Sequence, residues 1–162
     1  MSSDRLAAKA AAVLDACRKA GVRLATAESC TGGLIAATLT AIAGSSAVVE
    51  RGFVTYSNAA KAEMLGVSPS LIERHGAVSA EVAAAMAEGA IARSAADIAV
   101  SVTGIAGPGG ATAAKPVGLV FLGFARRDGP VVHERHLFAG DRRAVRAASV
   151  ERALDLILEQ AG

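Results

Sequence analysis

Ser29 and Cys30 stand directly before Thr31, Gly32 and Gly33, and these residue types in one short turn suit covalent attack on a carbonyl. A hydroxyl or thiol supplies the nucleophile, and small residues leave backbone N–H groups bare for the negative charge that attack creates. Before the turn, Val22 to Ala25 alternate as a short strand does; after it, Leu34, Ile35, Leu39 and Ile42 recur at helical spacing. The turn therefore lies at a strand-to-helix junction, where orphan N–H donors and partial positive charge gather. A purely structural role is also open, with Ser29 or Thr31 as the helix cap.

A serine nucleophile needs a base. His75 precedes a helix-stopping glycine, and His133 and His136 fall in a late hairpin, so the histidines are poorly placed. Lys61 is better placed, in the first turn of the helix after the second strand, where helix-end potential and partial burial lower an ammonium's pKa. Tyr56, read at the end of that strand, is within reach of the lysine or a substrate. Without such a role Lys61 reads as a solvated surface residue. Glu28 either holds Lys61 charged, forms a structural ion pair or positions its neighbours. Cys30 stays open as a rival nucleophile, because a thiol at a helix start is readily activated.

The elements that carry these groups follow from pattern and punctuation. A first helix runs from a Ser3 cap to Gly21, strand one from about Val22 to Ala27, and a helix from about Gly32 to Ala43, stopped by Gly44. Phe53 to Tyr56 reads as strand two. Ser57 or Asn58 caps the short Lys61 helix, Ser68-Pro69 opens another, and Ser79 caps a long alanine-rich one. Asp97 to Thr103 is nearly all apolar, as in a strand covered on both faces. Its end runs into Gly104 to Gly110, whose glycines allow backbone to approach a ligand. Strands at Gly118 to Ala125 and Val131 to Phe138 flank the turn Arg127-Asp128-Gly129-Pro130, and Asp141 caps the last helix. This order predicts a three-layer α/β/α sandwich on a mixed, mostly parallel five-stranded sheet, with ligands beyond the carboxyl ends of the strands.

Composition sets bounds. The 162 residues suit one domain, 1–162. The chain is 52% apolar but only 3% aromatic, so the core is expected to be built from small and branched aliphatic side chains. No run approaches the ~20 apolar residues of a membrane-spanning helix, and the start is not signal-like, which points to a cytoplasmic protein with no membrane partner. A net charge of +2 without Trp and with one Tyr lacks the basic, aromatic platform of a nucleic-acid binder. Cys17 and Cys30 have no metal-ligand spacing, so reduced thiols and no metal are expected. Gly104 to Gly110 is followed by no Gly-Lys-Ser or Gly-Lys-Thr, which disfavours ATP chemistry.

Six segments stand in a common order: Ala27 to Gly33, Gly44-Ser45-Ser46, Arg51 to Asn58 with Lys61, Gly76 to Ser79, Gly104 to Pro108 with Lys115 to Gly118, and Gly140-Asp141-Arg142. In this the sequence closely resembles the CinA C-terminal domain family, the nicotinamide-nucleotide amidohydrolases, over nearly its whole length. The resemblance implies deamidation of nicotinamide mononucleotide to nicotinic acid mononucleotide and ammonia, without metal or other cofactor. It implies Ser29 as nucleophile, Lys61 as base and Tyr56 in support. Substrate contacts are implied around Thr31, Gly32, Gly33, Ser46, Thr103 and Gly104, with Arg142 clamping the 5′-phosphate and Arg146 assisting. A homodimer follows from family habit. The reading kept beside it is a non-catalytic nucleotide-binding or partner-binding module, since in many members this domain is fused to another.

Overall fold

Strand β1, Leu24–Glu28, is buried at every residue because both its neighbours and both covering layers reach it. The structure, a computed structural model, describes residues 3–161. Among them β1 is flanked by β2 (Val49–Val54) and β3 (Ile98–Gly104), both parallel to it, and β4 (Leu119–Arg126) and β5 (Val131–Leu137) follow antiparallel in the order β2-β1-β3-β4-β5. Four strands thus run one way and β4 the other, and β3 is buried from Ile98 to Thr103, as a central strand covered on both faces is.

Helices α1 (Ser3–Ala20), α2 (Leu34–Thr40) and α6 (Arg142–Ala161) cover one face. Leu14, Leu39, Leu154 and Ile157 pack there against Leu24, Ile98 and Val100. Helices α3 (Asn58–Leu65), α4 (Pro69–His75) and α5 (Ala80–Ala92) cover the other face, where Leu65, Val82 and Met86 meet Ala25, Ala27 and Ala99. The small strand residues on this side let the alanine-rich α5 approach closely. The molecule is the expected α/β/α sandwich, and among the described residues no helix is long and apolar enough to cross a membrane.

Close approach has a measurable consequence at Gly123 on β4. A Cβ built there lies 2.6 Å from the Ala83 carbonyl oxygen and 2.6 Å from Ser101 Oγ, and the backbone of α5 cannot yield as a flexible side chain would. Gly123→Ala is expected to cost about 2–3 kcal/mol by overpacking, seen as a lower denaturant midpoint at unchanged slope.

The boundaries of β2 and α2 differ from those the sequence predicts in ways that bear on the site. β2 runs over Val49–Val54, not over 53–56, so Tyr56 lies past the strand. As an edge strand with a half-exposed Val-Glu-Arg-Gly stretch, β2 lacks the continuous apolar run that marks a buried strand. Helix α2 starts at Leu34 because Gly32 and Gly33 adopt φ of 57° and 103°, left-handed values that glycine tolerates and that place both residues in the turn.

Candidate active site

Every polar loop of the site lies at one edge of the sheet, beyond the carboxyl ends of β1, β2, β3 and β5. Ser29 follows β1 directly, and its N–H donates to the Val102 carbonyl of β3 at 3.0 Å. Lys61 rises from α3, whose start is fixed by Ser57: the Ser57 hydroxyl accepts from Ala60 N–H. This makes Ser57 the cap and frees Asn58, which joins the cavity wall.

Lys61 is 1% exposed, although its side chain ends in an ionisable amine. Its Nζ lies 2.9 Å from Ser29 Oγ, 3.1 Å from the Thr55 carbonyl oxygen and 3.3 Å from the Tyr56 carbonyl oxygen. Burial lowers its pKa from the ordinary value of 10.5, against a smaller opposing effect from Cys30. A neutral amine has two N–H donors and one lone pair. With the two carbonyls taking the donors, the lone pair is left to accept from Ser29 Oγ–H. Thr55 and Tyr56 act here through main-chain oxygens, for which a sequence carries no side-chain signal.

The turn itself is more occupied than a bare helix start. Ile35 and Ala36 N–H donate to the Glu28 carboxylate at 2.8 and 3.0 Å, Thr31 Oγ1 donates to it at 2.6 Å, and Gly32 and Leu34 N–H go to the carbonyls of Ser29 and Thr31. Glu28 therefore caps α2 and does not pair with Lys61, which excludes the ion-pair readings. Among the described residues the N–H groups of Cys30, Thr31 and Gly33 donate to no backbone carbonyl. Burial pushes the Cys30 thiol up to about 11, outweighing its own backbone hydrogen bond and the nearby arginine. That disfavours a thiolate at neutral pH.

A cavity of about 200 Å³ brings Ser29, Lys61, Tyr56, Thr103, Gly104 and Arg142 to one lining. Thr103 Oγ1 donates to the Ala77 carbonyl at 2.8 Å, so its lone pairs are what it offers a ligand. Arg142 donates to the Gly107 carbonyl at 2.9 Å and to Tyr56 Oη at 3.1 Å. Through Ala106 and Arg142 the cavity adjoins one of about 680 Å³ that also holds Arg143 and Arg146. Arg146 is committed to the turn, donating to the Cys30 and Thr31 carbonyls at 3.2 and 3.0 Å. None of the three arginines forms an ion pair among the described residues. Nor do three or more His, Cys, Asp or Glu side chains gather among them as metal ligands.

Ser46 is not brought to this lining. It is exposed in the short 3-10 turn Ser45–Ala47 before β2, and because Leu24 pairs with Val49 in parallel register, that turn sits at the amino ends of the strands. Within this chain Ser46 and Ser29 are at opposite edges of the sheet, which corrects the expected contact.

An α/β/α sandwich with a hydroxyl, a buried amine and an arginine-lined cavity at the carboxyl edge of its strands defines the class of molecule. The CinA C-terminal domain matches residues 6–161, and the chain belongs to that family. It is 51% identical over 160 residues to nicotinamide-nucleotide amidohydrolase PncC of Enterobacter agglomerans, covering 99% of this chain and 98% of that one. A CinA-like protein of Geobacter sp. strain M21 is 57% identical over 138 residues, which are 85% of this chain but 33% of that longer protein. The crystal structure of competence/damage inducible protein CihA from Agrobacterium tumefaciens superposes with a TM-score of 0.94 at 48% identity, covering 98% and 96% of the two chains.

Proposed function

We propose that this protein is an amidohydrolase that converts nicotinamide mononucleotide to nicotinic acid mononucleotide and ammonia through Ser29 and Lys61. The observation that carries the reading is the 2.9 Å contact between Ser29 Oγ and a buried amine whose other two neighbours are carbonyl oxygens. The amidohydrolase name of a relative 51% identical over 99% of the chain supports the substrate class.

In the reaction, Lys61 Nζ takes the Ser29 proton as Oγ bonds to the carboxamide carbon. The oxyanion is met by the uncommitted N–H groups of the turn. Lys61 then returns the proton to the amide nitrogen, the C–N bond breaks and ammonia leaves. Water attacks the acyl ester with Lys61 again as base, releasing the acid and restoring Ser29. Thr103 accepts from the substrate, and Tyr56 holds Arg142 in place. Arg142, with no carboxylate partner, receives the 5′-phosphate at the join of the two cavities, while Arg146 supports the turn from behind. The same reading treats 1–162 as one domain acting in the cytoplasm. A homodimer would cover the exposed Val54 and Met64, and a mass measurement in solution tests it.

The test is ammonia release from the mononucleotide, the riboside, free nicotinamide and the dinucleotide, measured side by side. Turnover of the mononucleotide well above the others is expected, and no release from any of them would defeat the reading. Arg142→Ala should raise KM for the mononucleotide by about 30-fold, the loss of a charge-assisted pair, and leave the riboside within about threefold. Equal effects on both would remove the phosphate role.

A further inference from the structure

Glu28 is fully buried, and the chemistry above leaves it without a task. Its carboxylate accepts from Thr31 Oγ1, Ile35 N and Ala36 N at 2.6, 2.8 and 3.0 Å. Its backbone carbonyl accepts from Thr55 N–H at 2.8 Å, and the Thr55 carbonyl in turn accepts from Lys61 Nζ at 3.1 Å. One residue therefore reaches both halves of the reacting pair. The side chain fixes the turn on which Ser29 sits, and the main chain fixes the segment that aims Lys61.

We propose that Glu28 is the positioning residue that sets the Ser29–Lys61 contact, a role that rests on the serine–lysine reading and adds a third member to it. Three donors, one O–H and two N–H, converge on its two oxygens, so the site calls for a group that only accepts. Glutamine has nearly the same shape but must turn an NH2 toward one of those donors. If its oxygen meets Thr31 and Ile35, its NH2 faces Ala36 N–H, a buried donor against a donor. The turn then loses a tie without losing volume. Glu28 makes no contact with Lys61, so its influence on the base passes through geometry rather than through a paired charge.

The test compares wild type with Glu28→Gln by three measurements: covalent labelling with a fluorophosphonate, kcat for the mononucleotide, and mononucleotide affinity by calorimetry. In labelling, the Ser29 Oγ–P bond forms, the P–F bond breaks and the proton passes to Lys61, so the rate reports the pair independently of substrate recognition. Labelling rate and kcat should both fall by about 100-fold, the scale of a misplacement near 1 Å, with affinity within about threefold and the midpoint of the pH profile unmoved. A merely structural glutamate would lower the melting temperature and leave the labelling rate at 25 °C unchanged, which would overturn the proposal. A shifted pH midpoint would overturn it too, by showing that Glu28 acts through its charge. Should Glu28→Gln fail to fold, Thr31→Val is expected to slow labelling by about tenfold and Thr31→Ser to restore it. Wild-type rates in both would overturn the proposal. A wild type that is never labelled at Ser29 sinks the serine–lysine reading itself, whereas equal labelling of wild type and Glu28→Gln sinks only this inference.

Discussion

Ser29→Ala is expected to lower ammonia release by about 10³-fold or more, since among the described residues no other side-chain hydroxyl or thiol hydrogen-bonds the Lys61 amine. The contrast that makes the result specific is Cys30→Ala, expected within about threefold of wild type. The two side chains are adjacent in sequence and both line the cavity, so any loss through distortion of the turn would strike both. Their chemistry separates them. Ser29 Oγ is 2.9 Å from the Lys61 amine, whereas burial lifts the Cys30 thiol to about 11, leaving almost no thiolate at neutral pH. The measurement is steady-state ammonia release from the mononucleotide, with each variant's melting temperature taken to establish that it is folded. Full activity in Ser29→Ala with loss in Cys30→Ala would transfer the nucleophile to the thiol.

Lys61 should give a loss of similar size and adds a pH signature. Lys61→Met keeps the bulk of a side chain that is 1% exposed and removes only the amine, so a fall of about 10³-fold in kcat measures the base and not a cavity. Lys61→Arg should be no better, because guanidinium stays protonated and its planar fork cannot enter a slot formed by two carbonyls and a serine. In the proposed scheme only the neutral amine can accept the serine proton. Activity therefore rises with pH along a limb whose midpoint lies below the ordinary lysine value of 10.5, in the direction burial shifts it. Stability follows the same sign. Between the lowered folded value and 10.5 the unfolded chain binds more protons than the folded one, so Lys61 makes stability rise as pH rises through that window. Lys61→Met should flatten this slope. A pH–rate profile with its acid limb intact in Lys61→Met would take the lysine out of the chemistry.

On the proposed function the arginine cavity should govern KM and the dyad kcat, which is why the variants are informative together. Arg142 lines both cavities at their join and, on the proposed function, should alter recognition. Ser29, Lys61 and Glu28 should alter the chemical step with recognition nearly intact.

Much of the fold was legible because hydrophobic period and turn chemistry are local. The largely apolar β3, the serine caps of α3, α4 and α5 and the Asp141 cap of α6, whose carboxylate accepts from Ala144 N–H at 2.9 Å, all follow from neighbouring residues. The edge strand β2 was legible only in part, because a half-exposed strand with Glu50, Arg51 and Gly52 has no local pattern to declare it.

Residue types alone determined that this chain carries an alcohol in a glycine turn, an amine on the next crossover and an arginine at the head of the last helix, in a family's order. Tertiary structure decided which of these meet. It set the 2.9 Å contact across a separation of 32 residues, gave the helix-start donors to Glu28 and placed Ser46 at the far edge of the sheet. The reason is physical: parallel pairing sends strand ends to one edge or the other whatever their sequence, and the two carbonyls that hold the lysine belong to the backbone, which every residue shares.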